Sequence, residues 1–498
     1  MSDKTKKKEL YDYQSKDLEH IFERFKNCPP DYKLLYQLPT GGGKTVIFSE
    51  ITRRYIEQKK KKVLILTHRI ELSAQTSAML TEFGVSNMVI DSKVKEVPEE
   101  DPHSCYVAMV ETLNNRLQDK MVNFKDLGLV IVDEAHYNSF RKLFKYLENQ
   151  FILGVTATPL SSNIKLPMKD SYSELICGSS IGYLVEKGFL AKATTYTYDV
   201  GLGSLKVGIN GDYTVKSSEM LYGNILMQNK LLYAYRERCK DLKTLIFNNG
   251  INTSKQVFVT FKEAGYENVR HLDSKMGKPE RNEIVKWFRE TDGAILTSVG
   301  ILTTGFDEPS IQAIVMNRAT KSPTLYYQMI GRGSRRLPNK DSFKVVDLGN
   351  NAARFGLWTA DVDWQKIFKA PDLYLLNLAT DEDIERKFRY VLPAEIKAMF
   401  PNSEFETYDI KEENKKIIAQ GLKSSVLLDK SIEQHAQMIV ENSDEITKAY
   451  GLARLLEDEI HYRVKQYCYL IAKSTRNYKE WLLEDYMKRL KRMILMKI

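Results

Sequence analysis

The 498-residue chain predicts an α/β protein: two successive parallel-sheet domains followed by a mostly helical C-terminal region. Three observations carry that expectation. Short apolar runs alternate with helix-length stretches in two separate blocks, the rhythm of strand–helix–strand units. A glycine loop and an acidic pair stand at the carboxyl ends of such runs, where open α/β sheets place their ligand-binding loops. From about Leu373 the alternation stops and helical periodicity takes over.

Composition sets the limits. A chain of 498 residues is expected to divide into about two to four domains. The expected limits are 1–165 and 230–372 for the sheet domains, 166–229 for a linker or insertion, and 373–498 for the helical region. Hydrophobic residues at 43% and charged residues at 28% describe a soluble globular protein, with no apolar stretch long enough to span a bilayer. The first eight residues are a charged tail without an apolar segment behind it, so secretion is not expected. Cys28, Cys105, Cys177, Cys239 and Cys468 are scattered, which suggests neither a disulfide framework nor a zinc site. A cytoplasmic protein with reduced thiols is the expectation. The net charge of +9 favours a polyanion such as nucleic acid, or serves solubility alone.

In the first block, Leu10 to Gln14 opens a helix with apolar positions through Leu18, Ile21, Phe22 and Phe25, ended by Pro29 and Pro30. The strand Leu34–Tyr36 leads into Pro39-Thr40-Gly41-Gly42-Gly43-Lys44-Thr45, and Val46 to Ile56 reads as helix. Strand, glycine loop and helix start suit a phosphate cradle of the shortened Walker A kind, with Lys44 on phosphate and Thr45 on Mg²⁺; a coincidental turn is the alternative. A glutamine just upstream, Gln14, can read adenine because its amide both donates and accepts, or it is simply an exposed helix residue. Lys59 to Lys62 reads as a solvated helix end before the strand Val63–Leu66, whose carboxyl end carries Thr67-His68-Arg69-Ile70-Glu71-Leu72. The strand Ser104–Val110 is followed by Glu111-Thr112-Leu113. Leu129-Val130-Ile131-Val132 has the continuous apolar character of a strand buried on both faces, and Asp133-Glu134-Ala135-His136 ends it. Asp133 suits a Mg²⁺ ion held through water, and Glu134 suits orientation or deprotonation of an attacking water. Phe151–Val155 is a further strand, ending in Thr156-Ala157-Thr158-Pro159, whose hydroxyls either sense the acidic motif or form an ordinary turn.

Residues 160–229 are mixed, with alternation at Ala193–Tyr198 and breaks at Gly201, Gly203, Gly208 and Gly211, and read as linker plus insertion or hairpin. The second block then offers strands at Leu245–Phe247, Val269–Leu272 and Ala294–Thr297 and helices at Ser254–Glu263 and Glu280–Phe288, with no second glycine–lysine loop. Beyond the last strand, Gly300 to Pro309 contains Gly305, free to adopt positive φ, and the carboxylate of Asp307. Gln328-Met329-Ile330-Gly331-Arg332-Gly333-Ser334-Arg335-Arg336 follows. Its arginines suit a charge-stabilising role on a nucleotide held by the other domain, or a generic basic patch.

In order, PTGGGKT, VDEAH, TATP, TTGFDEP and QxxGRGxRR resemble the motifs of the superfamily 2 helicases and translocases, most closely the bacterial DEAD/DEAH-type group of RadD and XPB relatives. The resemblance implies two tandem RecA-like domains and an ATP- and Mg²⁺-dependent motor. It implies adenine reading by Gln14, phosphate and metal binding by Gly41, Gly42, Gly43, Lys44, Thr45 and Asp133, and water activation by Glu134. Thr156 and Thr158 would couple hydrolysis to movement, Gly305 and Asp307 would link both activities, and Arg332 and Arg335 would complete the site, with Arg335 as the finger. Arg69 and Thr112 would touch the nucleic-acid backbone, giving little sequence preference and strong salt dependence. Departures are Tyr11 in place of an arginine beside the adenine-reading glutamine, Glu111 in place of a glutamine, and Gln328-Met329 in place of His-Arg, which tilts the substrate from RNA to DNA.

The helical region is punctuated by Pro393 and Pro401, with a polar linker expected over 402–414. Its last fifty or so residues mix aromatics and cations, among them Arg463, Lys465, Tyr467, Lys473, Tyr478 and Trp481. They suit a strand-binding surface, a partner-docking surface, or a helical core. An ATP-driven DNA helicase or translocase is the leading expectation; a translocase subunit of a restriction or defence complex, an RNA helicase, and a nucleotide-gated binding module stand beside it.

Overall fold

The computed structural model describes residues 9–498 except 95, 98–100, 120, 123, 304, 388–389, 391, 404–409 and 472–475. Thr304, Lys473 and the charged N-terminal tail of the sequence analysis lie outside the described residues.

Two all-parallel sheets organise the chain. The first comprises β1 (Lys33–Gln37), β2 (Lys62–Thr67), β3 (Asn87–Ile90), β4 (Cys105–Met109), β5 (Leu127–Asp133), β6 (Phe151–Thr156) and β7 (Glu174–Cys177), in the order β3-β4-β2-β5-β6-β1-β7. The second comprises β8 (Lys192–Thr197), β9 (Thr244–Asn248), β10 (Val269–Leu272), β11 (Ile295–Val299), β12 (Ala313–Asn317) and β13 (Ser342–Asp347), in the order β10-β11-β9-β12-β13-β8. Helices cover both faces, which is why β5 and β12 are buried along their whole length and read as unbroken apolar runs.

The span expected to be linker or insertion is structured. Glu174–Cys177 pairs with β1 as an edge of the first sheet, and Lys192–Thr197 pairs with β13 as an edge of the second. Both pairings are parallel, so the alternating run at Ala193–Tyr198 is not a hairpin. Its exposed outer edge explains the polar alternation.

Beyond the second sheet, the helices Ile410–Ala419, Val426–Glu441, Ile446–Leu455, Glu457–Ile471 and Arg476–Lys497 surround a separate apolar core containing Leu427, Ile439, Val464 and Leu490. The first of these helices begins inside the stretch expected to be polar linker. Arg463 and Tyr467 belong to this interior, whereas Trp481 is exposed and stacks on Tyr478.

Candidate active site

The glycine loop follows β1, and the helix Lys44–Lys59 starts directly on it. Gly41 and Gly43 have φ of +92° and +86°, a left-handed backbone that L side chains rarely adopt. Space excludes side chains as well: a Cβ on Gly43 would lie 2.4 Å from Gln14 Nε2, and one on Gly41 would lie 2.6 Å from Ser334 Oγ of the second domain. Gln14 Nε2 donates to Gly42 O at 3.2 Å and Tyr13 Oη to the same oxygen at 2.8 Å. Gln14 is therefore buried and braces the loop, not an exposed helix residue.

Asp133 ends β5, and Glu134 turns out of it with φ +51°, a conformation that costs a β-carbon-bearing residue about 1–3 kcal/mol and is tolerated mostly at functional sites. The Glu134 N–H donates to Asp133 Oδ1 at 2.9 Å, while Glu134 Oε2 is buried without a hydrogen-bond partner among the described residues. His136 Nδ1 stands 3.5 Å from that oxygen and shares a hydrogen bond of 3.0 Å with Thr156 Oγ1. Burial pushes the Asp133 carboxyl up, helped by the charge of Glu134. Glu134 is also raised by burial, but Lys44, His136 and Arg332 outweigh that and hold it below the usual carboxylate range. Lys44 is pushed down by burial, and its Nζ donates to Leu38 O at 3.4 Å. An unpartnered carboxylate oxygen and a weakly bonded ammonium in one buried cluster suit a bound phosphate with its counter-ion.

The second domain closes over this cluster. Arg335 Nη1 donates to Gly41 O at 2.7 Å, and its Nε pairs with Asp307 Oδ1 at 2.9 Å. Arg332 donates to Thr303 O and to Phe306 O, the latter at 2.6 Å; burial brings its guanidinium down to about 10 while Glu134 pulls the other way. Thr158 Oγ1 meets Thr324 Oγ1 across the domains at 3.0 Å. Gly305, at φ +74°, accepts from Gln75 Nε2 at 2.8 Å and leaves 3.1 Å between a hypothetical Cβ and Leu72.

Of the residues singled out in the sequence, the structure brings Gln14, the three glycines, Lys44, Asp133, Glu134, Thr156, Arg332 and Arg335 to the facing ends of the two sheets. Thr45 takes the second position of the loop-launched helix. Arg69 and Thr112 follow β2 and β4, which are neighbours, and so lie to one side of the cluster. Arg69 Nη1 donates to Ile301 O at 3.1 Å across the cleft. Beside it opens a cleft of about 670 Å³ between the domains, lined by Arg69, Lys278, Arg281, Arg289 and Phe306 among others. Residues without an assigned part in the sequence also belong here: Tyr13, Tyr137, Phe189, Thr324 and Ser334. His136 was visible as the last letter of VDEAH; Phe189, whose ring lies 4.7 Å from Tyr11, carried no motif.

Comparison with known proteins places this geometry. Residues 7–161 match the family model "Type III restriction enzyme, res subunit", and residues 226–336 match "Helicase conserved C-terminal domain". A "51.5 kDa protein" of a Lactococcus phage is 27% identical over 340 residues, 67% of this chain and 70% of the phage protein. A Saccharomyces cerevisiae protein named as the ATP-dependent helicase IRC3 is 29% identical over 330 residues, 62% of this chain but 47% of the yeast protein. The fold is shared with a fragment of an HsdR subunit of a type I restriction enzyme from Vibrio vulnificus, at TM-score 0.56 and 21% identity, covering 71% of this chain and 66% of that one. Among the described residues no helix is long and apolar enough to cross a membrane. The two sheet domains thus match helicase-type domain models, and the chain is an ATP-hydrolysing helicase or translocase that engages nucleic acid.

Proposed function

We propose that the chain is a DNA-directed motor of the group containing RadD and the XPB relatives, hydrolysing ATP between its sheet domains to move along or open a strand. The observation that carries this reading is Arg335 of the second domain bonded to Gly41 of the phosphate loop. Gly41 to Gly43 and Lys44 would hold the phosphates, and Gln14 would read adenine while bracing Gly42. Thr45 and Asp133 would hold Mg²⁺, which when bound neutralises charge on the phosphate oxygens. Glu134 would orient the attacking water and take its proton, as its free oxygen supports. Arg332 and Arg335 would stabilise the charge that develops, Arg335 exchanging the Gly41 carbonyl for phosphate. Thr156 and Thr158 would pass the state of Glu134 to Thr324 and the second domain, and Gly305 and Asp307 would tie that movement to Arg335.

Arg69 and Thr112 would contact the backbone of the strand, with the cleft cations Lys278 and Arg281 beside them. Gln328-Met329 in place of His-Arg and the restriction-enzyme relatives support DNA over RNA. The same relatives favour a second reading, a translocase subunit of a restriction assembly that meets a protein partner through the helical region beyond about residue 373. A reducing, cytoplasmic setting fits the free cysteines. The test compares ATP turnover with single-stranded, duplex and forked DNA and with RNA, for the native chain and for Lys44→Ala. Turnover should be stimulated most by DNA and vanish in the variant; undiminished turnover in Lys44→Ala, or stimulation by RNA alone, overturns the corresponding part.

A further inference from the structure

Among the described residues, His68, between the end of β2 and Arg69, has both ring nitrogens buried and without a hydrogen-bond partner. Leaving such a group unmet is unfavourable, so its placement calls for a reason. The ring lies against Tyr137, with centroids 4.2 Å apart at 34°, and Tyr137 lies against His136, with centroids 4.3 Å apart at 37°. Three rings thus run unbroken from the neighbour of Arg69 to a residue 3.5 Å from Glu134 Oε2.

Both ends of the stack are tied to moving parts. At one end, Arg69 holds Ile301 O of the second domain through the same guanidinium that a phosphate backbone would engage. At the other, the Tyr137 N–H donates to Glu134 O at 3.1 Å and closes the tight turn that keeps Glu134 at positive φ. His136 adds its bond to Thr156. Packed rings shift as a unit between discrete arrangements because close packing leaves no slack. A displacement at Arg69 therefore reaches the Glu134 turn through van der Waals contact alone. Burial also brings the His68 imidazole down to about 4, so the ring is neutral and acts by shape.

We propose that His68 is a positioning residue that transmits nucleic-acid engagement at Arg69 to the water-orienting carboxylate of Glu134 through the Tyr137–His136 ring stack. This rests on the roles proposed above for Arg69 and Glu134.

The experiment measures ATP turnover with and without a saturating oligothymidylate for the native chain, His68→Ala, His68→Phe and Tyr137→Leu. The KM for ATP and, by fluorescence anisotropy, the Kd for the oligonucleotide are measured alongside. In His68→Ala the ratio of stimulated to unstimulated kcat should fall roughly tenfold, with KM and Kd within about twofold of native. His68→Phe, which keeps the ring, should retain most of the stimulation. Tyr137→Leu, which cuts the stack at its centre, should lose it, and it carries the test if His68→Ala does not fold. A native ratio in both His68→Ala and Tyr137→Leu overturns the proposal. So does a loss that tracks a weakened Kd, because His68 would then merely shape the binding surface. A native chain that no polynucleotide stimulates overturns the functional reading itself, and the inference with it.

Discussion

At Gly331 a single methyl group would sit 2.6 Å from Thr40 Cβ, so the contact between the two motor domains leaves no room for a side chain at that point. Gly331→Ala should therefore hold the domains apart. A fall of at least about tenfold in kcat is expected, with ATP binding by the first domain little changed; calorimetric titration beside turnover assays separates the two. The two arginines beyond Gly331 differ in what they support. Arg335 and Asp307 are both substantially exposed, so their ion pair contributes about 1 kcal/mol or less. Arg335→Ala should cost no more than about 1–3 kcal/mol, through the unmet Gly41 O, yet lose roughly 10³-fold in kcat. Arg332 is different. Its removal leaves Thr303 O and Phe306 O without their donor and Glu134 with one neighbouring cation fewer, so Arg332→Ala should lose both activity and a few kcal/mol, about 1–3 per unmet group. A denaturant melt distinguishes them.

Among the elements, those ending in chemistry were the most legible. β1, β2, β5 and β6 each pair an apolar run with a polar motif at the carboxyl end, and the structure has strands there. β12 is equally apolar but ends in no motif, and β7 and β8 are edges whose partners lie far away in sequence, which local patterning does not reveal. The residues of the candidate site could be singled out because phosphate chemistry demands particular side chains at particular spacings. Phe189 and His68 could not, since a ring that acts by contact has no spacing rule. In the helical region, local patterning left open whether the cations and aromatics face outward. His435 is fully buried, bonded to Tyr486 Oη at 2.9 Å, and burial and then Arg463 bring its imidazole down to about 4. Burial raises Glu459, but the His435 ring 3.7 Å away and the Arg463 charge outweigh this and hold it at about 2. Both groups bind more protons when unfolded, so stability rises with pH across their windows. It should therefore decline as pH falls from about 6.5 to 4 through His435, by up to about 3 kcal/mol, and further from about 4.5 to 2 through Glu459. Melting temperature against pH checks this; His435→Phe should flatten the upper part of the curve.

For the whole molecule, the cleft beside Arg69 sets the expected response to salt. Among the described residues, Lys278 and Arg281 line it without a hydrogen bond or ion pair to a carboxylate, whereas Arg289 is tied to Glu308 at 3.3 Å. If the first two meet backbone phosphates, replacing either by alanine should weaken binding across all sequences alike. The slope of log K against log salt should also drop by about 0.7–0.9 per residue, as salt titrations of affinity would read.

The strands that residues 166–229 give to the two sheets decide where the molecule can be divided. A cut at residue 229 would leave β8 on the wrong piece and bare the edge of β13, an invitation to aggregation. A cut between Cys177 and Ile181 leaves seven strands on one piece and six on the other. Two such pieces, mixed in solution, would turn domain closure into a bimolecular association, and the dependence of turnover on their concentration would report how strongly nucleotide and strand draw the halves together.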